Sequence, residues 1–185
     1  MEAYLDNSAT TRVDAQVQEL MKKLMDVDFG NPSSRHQKGV VAEGYIKDAR
    51  QKIAATLKVD PKELIITSGG TESNNMALIG TALAAKRKGN HIITTAVEHP
   101  SVKATASFLE EQGFRITFLS VDSRGQISLE ELKEALTPDT ILVSIMYVNN
   151  EIGTIQPIEE AAKLVHATAL GAVFHVAAIQ AYGKV

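Results

Sequence analysis

Residues 65–75 read Ile-Ile-Thr-Ser-Gly-Gly-Thr-Glu-Ser-Asn-Asn, a short β-rich run that breaks at Gly69 and Gly70 and restarts as a helix at Thr71. That arrangement builds an anion site. Two glycines let the main chain come close to a ligand, and the following helix aims its unpaired first-turn N–H groups and the positive end of its dipole into the turn. A phosphate fits such a turn, although a strand-Gly-helix junction is also a common plain connection, and Thr71 has a second reading as a helix N-cap.

The elements that must position this turn follow from the periodicity of apolar residues. Val13, Val17, Leu20, Met21 and Leu24 recur at helical spacing, residues 29–36 are dense in turn formers, and Ala42, Tyr45, Ile46, Ala49, Ile53, Ala54 and Leu57 mark one face of a long helix. Strands then alternate with helices: strands over 64–68, 91–96, 115–121, 141–148 and 172–178, and helices over 72–86, 101–112, 129–136 and 158–167. The unbroken run Ile-Leu-Val-Ser-Ile at 141–145 predicts a strand covered on both faces. The fold class is therefore α/β, a doubly wound and mainly parallel sheet with helices on both faces. In such sheets ligands collect beyond the carboxyl ends of the strands. Those positions hold Gly69-Gly70-Thr71, Glu98-His99, Asn149-Asn150-Glu151 and the segment from His175 to Gln180.

Composition narrows the function classes. The chain has 185 residues, 44% hydrophobic and 22% charged, enough to bury a core and too apolar for a disordered segment. Its net charge of -3, with no basic run longer than Lys86-Arg87-Lys88, gives no footprint for nucleic acid. No cysteine is present, so disulfides, thiolate metal sites and a nucleophilic thiol are excluded within these residues, and no metal site is expected. Apolar stretches are of strand length and residues 1–6 show no signal core, so a cytoplasmic protein without membrane contact is expected.

Five ordered motifs carry a family resemblance: Tyr-Leu-Asp-Asn-Ser-Ala-Thr-Thr at 4–11, Phe-Gly-Asn-Pro-Ser-Ser at 29–34, Thr-Ser-Gly-Gly-Thr-Glu-Ser-Asn-Asn at 67–75, Glu98-His99, and Val-Asn-Asn-Glu-Ile-Gly at 148–153. In order and spacing they resemble the cysteine desulfurases, class V aminotransferase-like, fold-type I pyridoxal-phosphate enzymes. The resemblance implies that Gly70 and Thr71 hold the cofactor phosphate and that His99 stacks on the ring and assists proton transfer. It implies that Asn150 reaches the ring hydroxyl or the substrate carboxylate, and that Gln180 donates to the ring's phenolic oxygen. Asn7, Ala9 and Asn31 would line the substrate entrance, although their segments also read as polar turns. It divides the chain into an N-terminal arm with the start of the first helix, 1–15, and an incomplete cofactor-binding large domain, 16–185. The implied reaction takes sulfur from L-cysteine, leaving L-alanine and an enzyme persulfide, for Fe–S clusters and other thio-cofactors. Implied partners are a second copy or a complementing C-terminal fragment, and sulfur-acceptor or scaffold proteins.

Two departures from the family pattern matter chemically. Ala177 stands where the family places an aspartate whose carboxylate keeps the pyridine nitrogen protonated, so that the ring draws electrons from the substrate's α-carbon. Losing that carboxylate costs several powers of ten in rate, at about 1.4 kcal/mol per tenfold. The lysine that holds the cofactor covalently and the sulfur-accepting cysteine are also absent from these residues, Lys184 matching the ordinary Gly-Lys that follows Gln180. An alternative therefore stands beside the enzymatic one, a non-catalytic scaffold or interaction module on the same fold. In relatives the strand at 64–68 has its neighbour beyond residue 185. The expectation is that the chain pairs with a complementary fragment, associates through an open sheet edge, or rearranges so that 64–68 finds another partner.

Overall fold

The computed structural model describes residues 2–185, which form two compact units, 2–66 and 67–185. The first unit holds α1 (Ala15–Asp26), α2 (Gln37–Leu57) and a 3-10 turn (Pro61–Glu63). Asp14 caps α1 by accepting from Gln16 N–H, and His36 caps α2 by accepting from Gly39 N–H. The loop between them is tied down by polar contacts. Tyr45 donates its hydroxyl hydrogen to Asp28 at 2.7 Å, Lys23 donates to the Tyr45 oxygen at 2.8 Å, and Lys38 donates to the Val27 carbonyl at 2.7 Å.

The second unit alternates helix and strand: α3 (Gly70–Ala85), β1 (His91–Thr95), α4 (Pro100–Glu111), β2 (Arg115–Leu119), α5 (Leu129–Ala135), β3 (Thr140–Met146), α6 (Ile158–Thr168) and β4 (Val173–Ala177). All strand pairs are parallel, in the order β2-β1-β3-β4. Successive side chains of a strand point to opposite faces, and the core divides accordingly. Ile92 and Leu142 pack with Leu78 and Ala82 of α3 and with Val102 and Leu109 of α4, whereas Ile93 and Val143 pack with Leu132 of α5 and Ala161 and Val165 of α6. Helices thus cover both faces. Every residue of β1 and β3 is buried, as the unbroken apolar run at 141–145 predicts, while β2 and β4 at the edges are only partly covered.

One predicted strand does not form. Residues 64–67 belong to no strand, although Leu64 is extended, and Ile65 and Ile66 stay 68% and 60% exposed. A β-branched run favours extended backbone, but a strand needs a neighbour to accept its ladder of hydrogen bonds, and the four-stranded sheet supplies none there. The Leu64 carbonyl is instead taken by the Arg50 guanidinium at 2.5 Å.

Candidate functional site

The C-terminal ends of β1, β3 and β4 share one edge of the sheet, and most of the residues singled out in the sequence collect there. α3 starts at Gly70 with Gly69 as its N-cap residue, so Thr71 lies inside the first turn and the N-cap reading of Thr71 does not hold. Among the described residues no side chain caps this helix. Glu72 turns its carboxylate back to Ser68, accepting from its N–H and its hydroxyl, each at 2.6 Å, which leaves the first-turn N–H groups to an outside acceptor. Thr67 and Ser73 close the other side of the turn through their hydroxyls at 2.7 Å.

β1 leads directly into Glu98 and His99. The Glu98 carboxylate is buried, its Oε1 accepting from the Thr95 hydroxyl at 3.0 Å and from Met146 N–H at 2.8 Å, while Oε2 has no partner among the described residues. Burial raises its pKa to about 7, against the opposing pull of those two donors. His99 caps α4, its Nδ1 accepting from Ser101 N–H at 3.1 Å. The Ser101 hydroxyl lies 2.9 Å from the same nitrogen and itself accepts from Asn74 at 3.0 Å. Because Nδ1 is an acceptor, the hydrogen of the neutral ring sits on Nε2.

β3 leads into the turn at 149–154. The buried Asn149 amide donates to the Val97 carbonyl at 2.9 Å, and its oxygen accepts from Glu151 N–H at 2.9 Å and Ile152 N–H at 3.0 Å. Gly153, at φ 72°, returns its N–H to the Asn149 carbonyl, a left-handed position that favours glycine. Asn150 donates to the neighbouring Glu151 carboxylate at 2.7 Å. A groove of about 360 Å³ opens between the two loops, lined by Val97, Glu98, Lys103, Asn149, Asn150 and Ile152 among others.

β4 ends at the half-buried Ala177, and the turn that follows carries Gln180, whose side-chain amide oxygen Oε1 accepts from Lys184 at 3.1 Å. Ile179 of that turn lies against Gly70, which joins the end of β4 to the start of α3. His175, opposite Ser144 in the register, bonds that hydroxyl at 2.9 Å, and burial lowers its pKa. Gly70, Thr71, His99, Asn150 and Gln180 therefore all belong to the second unit and to its strand-end edge. Asn7, Ala9 and Asn31 belong to the first unit, where Asn7 and Ala9 sit in a turn at 7–9 and the Asn31 side chain accepts from Ser33 N–H at 2.9 Å. The supports at Glu98, Asn149, Ser101 and Asn74 are the functional candidates that sequence reasoning passed over. Glu98, Asn149 and Asn74 lay inside quoted motifs, but only their burial distinguishes them from their neighbours.

A family profile described as Aminotransferase class-V matches residues 3–185. The chain belongs to the class-V aminotransferase family. Among the relatives of this class-V chain is the cysteine desulfurase IscS of Dictyoglomus turgidum, 49% identical over 184 residues, which are 100% of this chain and 46% of that protein. A solved NifS-like protein superposes with a TM-score of 0.92 at 43% identity, covering 95% of this chain and 48% of the other. A second solved structure, SspA in complex with cysteine, gives 0.87 at 40% identity, over 94% and 49% of the two chains. The chain thus spans about half the length of the relatives it matches. Cysteine desulfurases in this family depend on pyridoxal phosphate, and among the described residues no helix is long and apolar enough to cross a membrane.

The residues present can be tested against that cofactor. An uncapped helix start at Gly70 suits its phosphate, and the fixed His99 ring and the Gln180 amide suit a flat heteroaromatic ring with a phenolic oxygen. They fit the group as a ligand. The Ala177 methyl is the exception, since it offers the ring nitrogen neither charge nor acceptor.

Proposed function

We propose that this chain forms the N-terminal part of a pyridoxal-phosphate-dependent cysteine desulfurase working in the cytoplasm, in which L-cysteine and an enzyme thiol give L-alanine and an enzyme persulfide. When bound, the cofactor supplies an electron-withdrawing ring for bond cleavage at the amino acid. The carrying observation is the uncapped α3 terminus on the same sheet edge as His99, Asn150 and Gln180. The relative solved with cysteine supports the substrate. In this reading Gly70 and Thr71 bind the phosphate through backbone N–H groups and the Thr71 hydroxyl, and His99 covers one ring face and holds or passes a proton at Nε2. Asn150 meets the ring hydroxyl or the substrate carboxylate, Gln180 donates to the phenolic oxygen, and Asn7, Ala9 and Asn31 contact substrate. The thiol is not among residues 1–185, which contain no cysteine. A homodimer and a sulfur-accepting partner complete the proposal.

Ala177 favours a second reading, a scaffold that binds the cofactor without driving its chemistry. Titration of pyridoxal phosphate into the chain, followed by its visible absorbance, tests both. Saturable binding that inorganic phosphate displaces and Thr71→Val weakens supports the site; binding indifferent to phosphate rejects it. Alanine formed from L-cysteine once a complementing C-terminal fragment supplies the lysine and the thiol favours the enzyme, and cofactor binding without that reaction favours the scaffold.

A further inference from the structure

Glu98 and Asn149 join the same two loops in opposite senses. The carboxylate after β1 reaches across to Met146 N–H at the end of β3, at 2.8 Å, and the amide after β3 reaches back to the Val97 carbonyl, at 2.9 Å. Both side chains are buried, at 3% and 5% exposure, and each directly precedes a residue of the proposed site, His99 or Asn150. Each is also fixed on its own loop, Glu98 by the Thr95 hydroxyl and Asn149 by Glu151 and Ile152 N–H. At the α3 terminus the turn is shaped by a separate pair, Ser68 donating its N–H and hydroxyl to Glu72. We propose that Glu98 and Asn149 are positioning residues, a reciprocal clasp that sets the spacing of His99 and Asn150 and thereby the affinity of the strand-end site for the ring of a pyridine phosphate. The inference takes its ligand from the proposed function and rests on that reading.

Two probes separate ring from phosphate: pyridoxine 5′-phosphate, which has no aldehyde to react with surface lysines, and inorganic phosphate, each titrated calorimetrically into the intact chain. Glu98→Ala removes one arm of the clasp. Asn149→Asp removes the other while keeping the oxygen that holds Glu151 and Ile152, so it tests the clasp if the alanine variant fails to fold. Each is expected to weaken pyridoxine phosphate about tenfold, the scale of one lost hydrogen bond, with inorganic phosphate within about twofold of the parent chain. Glu98→Gln keeps an oxygen for Met146 N–H and is expected to restore parent affinity. Folded variants that hold pyridoxine phosphate like the parent, or that lose both probes together, overturn the clasp alone. A parent chain that does not bind pyridoxine phosphate overturns the proposed function and the clasp with it.

Discussion

Ile179 lies so close to Gly70 that a Cβ on residue 70 would overlap its Cδ1. The overlapping atom ends a side chain that is 58% exposed and free to swing away. Gly70→Ala is therefore expected to change stability by less than about 1 kcal/mol, since alanine also favours the helix it enters. A double-mutant cycle with Ile179→Ala checks it. The cost of the alanine should shrink when the isoleucine is gone, and strictly additive values would refute the contact.

His91 is fully buried at the start of β1, with Thr140 and Thr117 hydroxyls each 2.8 Å from a ring nitrogen. Burial, helped by Arg115, lowers its pKa from 6.5 to about 4. The folded state thus resists the proton that the unfolded state takes up below 6.5. Its contribution is complete above that pH and is lost as pH falls toward 4, by about 3 kcal/mol at most. Urea unfolding between pH 7 and 4.5 should show this slope. His91→Leu, though less stable throughout, should flatten it; an unchanged slope would assign the acid sensitivity elsewhere.

Glu98 has the opposite sign. With its pKa raised from 4.5 to about 7, the folded state favours the neutral acid, and the stability this brings is lost as pH rises through about 7. Between pH 5.5 and 8.5 the parent chain should lose about 2 kcal/mol relative to Glu98→Gln, which carries no charge at either pH. Parallel stability profiles for the two proteins would show that the carboxylate stays ionised throughout.

Gln156 is buried and holds the 121–127 turn against the end of β3. Its oxygen accepts from Ile127 N–H at 3.0 Å, and its amide donates to the Gly125 carbonyl at 2.7 Å. Gln156→Ala leaves both backbone groups without that partner and should cost about 2 to 4 kcal/mol in chemical denaturation. A loss below about 0.5 kcal/mol would mean that the turn is held by other contacts.

The sequence made the layered sheet legible because β3 announces itself in the unbroken apolar run at 141–145, and helices alternate with strands along the chain. It misjudged 64–68 because Leu-Ile-Ile states a preference for extended backbone and says nothing of whether a neighbouring strand is available. The strand-end edge was readable from His99 and Asn150, whose types carry chemistry. Glu98 and Asn149 beside them were not, since their importance lies in pairing across two loops about 50 residues apart, and such pairing leaves no local pattern. The N-cap reading of Thr71 missed by two residues because Gly69, not a hydroxyl-bearing residue, is the N-cap of α3.

The order β2-β1-β3-β4 has a consequence for how the molecule opens. His99 and Asn150 hang from the two central, wholly covered strands, whereas Gln180 hangs from the edge strand β4. Amide exchange should accordingly be slowest at Ile92, Ile93, Leu142 and Val143, and faster along β4. Partial fraying would then release Gln180 first, leaving the imidazole and the Asn150 amide seated on the last part of the sheet to come apart.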